Sequence, residues 1–249
     1  MRAFGSFATG LYLPDGDIDV AVLIETDNVK QVYDIIHATI RSRRDKYCDI
    51  DYIRKSKVPL IKFHTVEDDI QFDISVNKED GIKQIVEVKR MLDQFPEFRY
   101  LAMVLKCTLK IRNLGETYSG GLGSFLLFCM LLTYLREVHR KGKYYTLSEH
   151  LLRFMEFYAI SHDWQKRRVY VSNGVIEDRR GEEHALSFMS PQDPTHDIGK
   201  SAFKIKDVLG VFRNRFRLIL GKNYSRGESV LKELVNPSEA EFMYLKASL

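Results

Sequence analysis

Apolar residues in the first third of the chain fall in short runs rich in Ile, Val and aromatics, over 18–24, 48–53, 58–64 and 70–76. Runs of that length, bounded by turn residues, predict strands. Between the first two, Val32, Ile35, Ile36 and Ile40 recur at helical spacing with a basic outer face, which predicts a helix over 29–44 and hence an α/β unit. From Gly81 onward the period becomes helical, over 82–92, 97–112, 124–140, 147–158 and 202–220. A boundary between two kinds of structure is therefore expected near residues 81–95. Residues 169–190 interrupt the helices with a Val169-Tyr170-Val171 strand, an Asn173-Gly174 turn and a charged Asp178-Arg179-Arg180-Gly181 turn, together the pattern of a small hairpin. Pro191 and Pro194 then predict an extended approach to a helix that starts at Ser201, just after Gly199 and Lys200.

Composition narrows the class without choosing a function. With 249 residues and 45% hydrophobic content, the chain can bury one substantial core or two smaller ones. The 29% charged fraction and only 6 Pro exclude a disordered chain. A net charge of +4 and a pI near 8.8 permit an anionic partner but fall well short of a basic tail. Cys48, Cys107 and Cys129 have no CxxC spacing, so neither a disulfide framework nor a zinc knuckle is expected, and a reducing compartment fits. The most apolar run, 125–135, is too short for a membrane span and reads as a buried helix; no secretory or transit segment is expected before the fold.

The chemistry concentrates in the carboxylates. Gly5-Ser6 stands ten intervening residues before Asp17-Ile18-Asp19-Val20, room for a turn, a short helical segment and a return into a strand. Residues two apart on a strand share a face, so Asp17 and Asp19 can enter one cleft while Ile18 and Val20 pack behind. Asp73 lies in a later run whose alternation puts Phe72, Ile74 and Val76 on the opposite face. Three carboxylates suit a pair of magnesium or manganese ions about 3.5–4 Å apart, and Gly5 and Ser6 suit a close backbone approach to phosphate. Taken alone, Asp-x-Asp also fits a solvent-exposed turn. The upstream Gly-Ser and the downstream strand Asp favour a site.

Four ordered stretches, Phe4 to Val20, Val58-Pro-Leu-Ile-Lys62, Phe72-Asp-Ile-Ser-Val-Asn77 and Tyr118-Ser-Gly-Gly-Leu-Gly-Ser124, resemble the atypical poly(A) RNA polymerases of the TRAMP nuclear surveillance complex, within the polymerase-beta-like nucleotidyltransferase superfamily. The resemblance runs from about residue 4 to 220. It implies an α+β fold: a mixed-sheet nucleotidyltransferase catalytic domain over 1–85 and a mainly helical central, poly(A)-polymerase-associated domain over 86–249. By the same resemblance Asp17, Asp19 and Asp73 are the catalytic and metal-binding residues, and Gly5 and Ser6 contact the triphosphate. Lys106 is implied to bind the triphosphate, and Lys110, one turn later on the same face, can add a second charge, although both also flank an apolar stripe of Leu101, Leu105 and Leu109. Ser124, after Gly120, Gly121 and Gly123, fits a phosphate contact, and Phe125 fits either a base-stacking ring or a core aromatic. Asn77 matches an asparagine that can reach the ribose.

Residues 192–201, Gln-Asp193-Pro-Thr-His196-Asp-Ile-Gly-Lys-Ser, resemble the family's nucleotide recognition loop, shortened between Pro194 and Gly199. His196 stands where poly(A) enzymes usually carry Asn and where uridylate-adding relatives carry His. The resemblance favours ATP as substrate, with terminal uridylyl transfer as the alternative. It also implies an RNA 3′ end, a zinc-knuckle RNA-binding subunit and an RNA helicase as partners, a nuclear location in nucleoplasm or nucleolus, and no membrane. Relatives carry a helical segment and a strand before the Gly-Ser, whereas three residues precede Phe4 here, so a start assigned too late, or an exposed edge, is expected. Two other classes stand against the polymerase reading: an inactive scaffold for RNA or a helicase, and a small-molecule nucleotidyltransferase, which would not be expected to share the 118–124 and 193–201 elements.

Overall fold

Alternating apolar and polar side chains set the architecture of the first unit. In the computed structural model, which describes residues 1–56, 58–179, 185–225 and 228–235, the chain divides into Met1–Lys89 and Arg90 onward. Strands β1 (Arg2–Phe4), β2 (Ile18–Val22), β3 (Tyr47–Ile53), β4 (Leu60–Thr65) and β5 (Gln71–Val76) form a five-stranded sheet in the order β1-β2-β5-β4-β3. β2 and β5 run parallel and the other pairs antiparallel, so the sheet is mixed. One face is apolar: Ile61, Phe63, Ile74 and Val76, with Val20, Val22 and Phe72, pack on Tyr33, Ile40, Val32 and Ile36 of α2 (Val29–Arg41). The helix begins at Asn28, whose side chain caps the Gln31 N–H, and ends three residues short of the expected Arg44. The Tyr33 hydroxyl ties it down, donating to the Pro59 carbonyl at 2.7 Å and accepting from the Val76 N–H at 2.8 Å.

Two elements before β2 escape the apolar pattern. β1 pairs with β2 alone, and the five-residue α1 (Gly5–Thr9) closes on Gly10 at φ 68°, a left-handed C-terminal stop. α3 (Glu79–Gln94) follows β5 and carries the division between the units.

The second unit is built on α5 (Ser124–Arg140), in which 126–135 are all buried. This is the buried helix the apolar run predicts; no described helix is long and apolar enough to cross a membrane. Around it stand α4 (Phe98–Lys110), α6 (Leu147–Glu156) and α7 (Ile205–Gly221), with a short α8 (Leu231–Leu234). A capping box between Thr146 and Glu149 opens α6, which runs on into a π-helical turn at Phe157–Ser161. There the Tyr158 hydroxyl reaches the Met130 carbonyl at 2.7 Å.

Three expectations for residues 169–205 need correction. The predicted hairpin of β6 (Arg167–Tyr170) and β7 (Val175–Asp178) gains β8 (Ser187–Met189), which pairs parallel to β6 and makes a three-stranded sheet. Three residues are too short a run for local pattern to reveal, and the pairing is fixed at long range. The charged turn after Asp178 runs into residues 180–184, outside those described. The approach through Pro191 and Pro194 is a closed turn, because Asp193 accepts from Thr195 N and Oγ1 and the His196 N–H returns to the Asp193 carbonyl. Finally, Ser201 ends a 3-10 turn (Ile198–Ser201), and the α-helix starts four residues later at Ile205.

Candidate active site

Behind the apolar face of the first sheet lies a row of polar residues. Strand register sets Phe4 opposite Asp19, Asp19 opposite Asp73, Asp73 opposite Lys62 and Lys62 opposite Asp51. Since Ile74 and Val76 face α2, Asp73 must face away, and so must Asp19, whose neighbours Val20 and Val22 alternate with it. Asp17, immediately before β2, completes the group: carboxylate oxygens of Asp17, Asp19 and Asp73 all lie within 4.8 Å of one another. Three like charges so close repel, and hard oxygen donors of this kind suit magnesium or manganese.

Gly5 belongs to the same group. It sits at φ 65°, and a Cβ there would strike the Asp19 carboxylate, so only glycine brings the backbone this near. Ser6 follows in the first turn of α1, half-buried, its carbonyl accepting from Leu11 N and Thr9 Oγ1. Asp73 is 4% exposed and already has partners: Lys62 Nζ donates to Oδ2 in a short ion pair, and Gln71 Nε2 to Oδ1 at 3.1 Å. The Lys62 contact depends on the register of β4 against β5, whereas Gln71 shares its strand and its face with Asp73, two residues on. In the sequence Lys62 stands out only as the end of the stretch Val58-Pro-Leu-Ile-Lys62.

Asn77 lies one residue past β5 and its amide turns to the backbone of Ile24. Oδ1 accepts from Ile24 N and Nδ2 donates to Ile24 O, each at 2.9 Å, while Asn77 itself holds φ 54°. This clamp joins the ends of the parallel strands β2 and β5, leaving one N–H and one lone pair of the amide for any ligand.

In the second unit, Leu101, Leu105 and Leu109 of α4 are buried as the apolar stripe predicts, and Lys106 and Lys110 flank them half-buried. The glycines before α5 fold the loop onto itself: a Cβ at Gly121 would strike Leu114 O, and one at Gly123 the Thr117 methyl. Gly120, at φ 81°, lies under the ring of Phe203, and its carbonyl accepts from Lys204 N at 2.8 Å. Ser124 and Phe125 are half-buried at the start of α5. Phe203 and Tyr118 are 68% and 86% exposed, aromatics to which no role was attached from sequence. Asp193 and His196 are exposed on their closed turn. Thr195, through its hydroxyl first and its N–H second, holds the Asp193 carboxyl below its ordinary value.

Residues 1–86 match the family described as the central palm domain of mitochondrial-like poly(A) RNA polymerase. Poly(A) RNA polymerase protein 1 of Saccharomyces cerevisiae is 27% identical over 257 residues, 96% of this chain and 40% of the relative. A Drosophila melanogaster protein named inactive non-canonical poly(A) RNA polymerase protein Trf4-2 is 31% identical over 231 residues, 86% of this chain and 56% of the relative. The chain thus spans between two fifths and just over half of the length of these relatives. Among solved structures, the polymerase core of TRAMP, an RNA surveillance complex, matches with a TM-score of 0.83 at 23% identity, over 94% of this chain and 80% of that one. The Cid1 poly(U) polymerase matches at 0.78 and 17% identity, over 94% and 85%. At such identities these structures speak for the nucleotidyltransferase fold, while the relatives speak for descent. In sequence the chain is similar over most of its length to proteins named poly(A) RNA polymerases, its residues 1–86 match their palm-domain family, and its fold is that of nucleotidyltransferase polymerase cores.

Proposed function

We propose that this chain is a template-independent nucleotidyltransferase that adds nucleotides, adenylates by preference, to RNA 3′ ends. The observation that carries the reading is the convergence of Asp17, Asp19 and Asp73 beside Gly5. The donor set fits divalent magnesium or manganese, and such ions would supply positive charge where a triphosphate and an attacking hydroxyl meet. Asp17, Asp19 and Asp73 hold that charge. Gly5 and Ser6 offer close backbone approach to the triphosphate, and Lys62 keeps Asp73 oriented. In the second unit Lys106, Lys110 and Ser124 are assigned to phosphate, Phe125 to the base, and Asp193 and His196 to base choice. Asn77 is assigned to the ribose. In this reading residues 1–85 form the catalytic domain and 86–249 the mainly helical domain that adds most of the nucleotide recognition.

Relatives named poly(A) RNA polymerases support ATP as the substrate. The matching TRAMP core belongs to an RNA surveillance complex; a nuclear setting, with a zinc-knuckle RNA-binding subunit and a helicase as partners, is proposed from the resemblance of the motifs. Two other readings have their own support. His196, with a poly(U) polymerase among the matching structures, favours UTP. The relative named inactive favours a scaffold without catalysis, although the three carboxylates here speak for activity. Primer extension on one RNA with ATP, UTP, GTP and CTP, with magnesium or manganese, separates all three. Extension that prefers ATP is expected, a UTP preference reversed by His196→Asn would establish the uridylyl reading, and no extension with any nucleotide would leave the scaffold.

A further inference from the structure

We infer that Asp197 is the positioning residue for base selection, fixing the turn that carries Asp193 and His196 to the three-stranded sheet. The inference rests on the reading of residues 192–201 as the nucleotide recognition loop. His196 and Asp193 are exposed, whereas Asp197, the next residue, is 8% exposed and accepts three hydrogen bonds. Oδ2 accepts from the Ser187 hydroxyl at 2.7 Å. Oδ1 accepts from Phe188 N at 3.0 Å and from Gly199 N at 2.8 Å.

Those donors belong to different elements. Ser187 and Phe188 open β8, and Gly199 lies in the 3-10 turn that Asp197 caps. One carboxylate therefore joins the strand before the loop to the turn after it. The backbone closes the same junction, through a bridge between Met189 and Asp197 and the Ser190 N–H donating to the His196 carbonyl at 2.8 Å. Arg168 Nε extends the network by donating to Ser187 Oγ at 3.3 Å. The buried Arg179 adds positive charge nearby: desolvation lowers its guanidinium from the ordinary value and Asp197 opposes that.

Gly199 makes the arrangement unforgiving. A Cβ there would lie 2.7 Å from Leu186 O and 3.0 Å from Asp197 Oδ1, so the turn can seat itself this closely only with glycine. A buried carboxylate with three donors costs free energy unless all three stay in place, so the loop has one favoured position rather than several. Base discrimination depends on groups held to a fraction of an ångström, and Asp197 supplies that constraint without touching the base.

The test compares wild type with Asp197→Ala, Asp197→Asn and Gly199→Ala, all checked for folding by circular dichroism and Trp164 fluorescence. Extension rates and equilibrium binding are measured for ATP and UTP. Asp197→Ala and Gly199→Ala are expected to reduce discrimination between the two nucleotides by about tenfold, mainly by weakening the preferred one. Asp197→Asn, whose Oδ1 can still serve Phe188 N and Gly199 N, is expected to restore most of it. Should Asp197→Ala fail to fold, Gly199→Ala reads the same constraint from its other side. Unchanged discrimination in a folded Asp197→Ala or Gly199→Ala overturns the inference. If wild type binds nucleotides but extends no RNA, the proposed activity falls and discrimination is read from the two dissociation constants. If it binds neither, both fall.

Discussion

Lys62 and Asp73 stand directly opposite each other on β4 and β5, and the ammonium of one reaches the buried carboxylate of the other. The pair puts a positive charge among three negative ones before any metal arrives. Removing it leaves Asp73 buried with Gln71 as its remaining hydrogen-bond donor. Lys62→Met is therefore expected to destabilise the metal-free protein by about 1–3 kcal/mol, below the range for a fully buried pair because the Lys62 side chain is one-third exposed. Manganese should restore more stability to the variant than it adds to wild type. Urea denaturation with and without the ion measures both.

Asp17→Asn should have the opposite effect on the metal-free fold. It removes one of three like charges that lie within 4.8 Å, a repulsion on the order of 1 kcal/mol in a water-like medium. The variant is expected to melt higher than wild type without divalent ions, to gain less when manganese is added, and to extend no RNA. A thermal shift series across metal concentrations, beside a primer-extension assay, reads all three.

Gly5→Ala combines two penalties, a positive φ and a side chain directed at the Asp19 carboxylate. The backbone term alone is about 1–2 kcal/mol. Displacement of Asp19 should lower extension well beyond what the loss of folded protein explains, which active-fraction titration together with single-turnover rates distinguishes.

Asn77 offers a comparison within one position. Asn77→Gly keeps the left-handed backbone and loses the double clamp on Ile24, for an expected cost of about 1–2 kcal/mol. Asn77→Ala loses the clamp and strains the backbone too, so it should be the less stable of the two by chemical denaturation.

His150 gives the second unit a pH dependence. Its ring is buried with Nδ1 3.1 Å from the Tyr134 hydroxyl, and burial lowers it from the ordinary 6.5; Glu97 and Glu149 oppose the shift and His139 adds to it. The folded state holds it neutral, so the unfolded chain takes up the proton first as pH falls. Its stabilising effect is complete above about pH 6.5 and declines below, towards the folded value. The His150→Gln variant should lose less stability than wild type between pH 7.5 and 5, by urea midpoints at each pH.

How much of this was legible in the sequence depended on whether the cause was local. The helix over 124–140 is found with those bounds because an apolar run of buried residues lies between Gly123 and a basic end. The alternation of Phe72, Ile74 and Val76 placed Asp73 on the other face before any pairing was known. The Lys62 contact with Asp73 and the separate network of Asp197 were not legible, because the first is set by strand register and the second by a three-residue strand that pairs at long range. The turn at Pro194 was hidden by Asp193, whose side chain closes a local turn that proline content alone does not predict, and the late start of α7 by the 3-10 turn that Asp197 caps.

The polar row of the first sheet also polices how the sheet assembles. If β5 or β2 slipped by one residue, Asp73 or Asp19 would be driven against Tyr33, Ile40 and the other apolar side chains under α2, and Phe72 or Ile18 would emerge in its place. An unpaired carboxylate in such surroundings is costly enough to reject the slipped pairing outright. The residues assigned to chemistry thus double as proofreading marks for folding, and replacing them by neutral side chains would loosen the choice of register as well as silence the site.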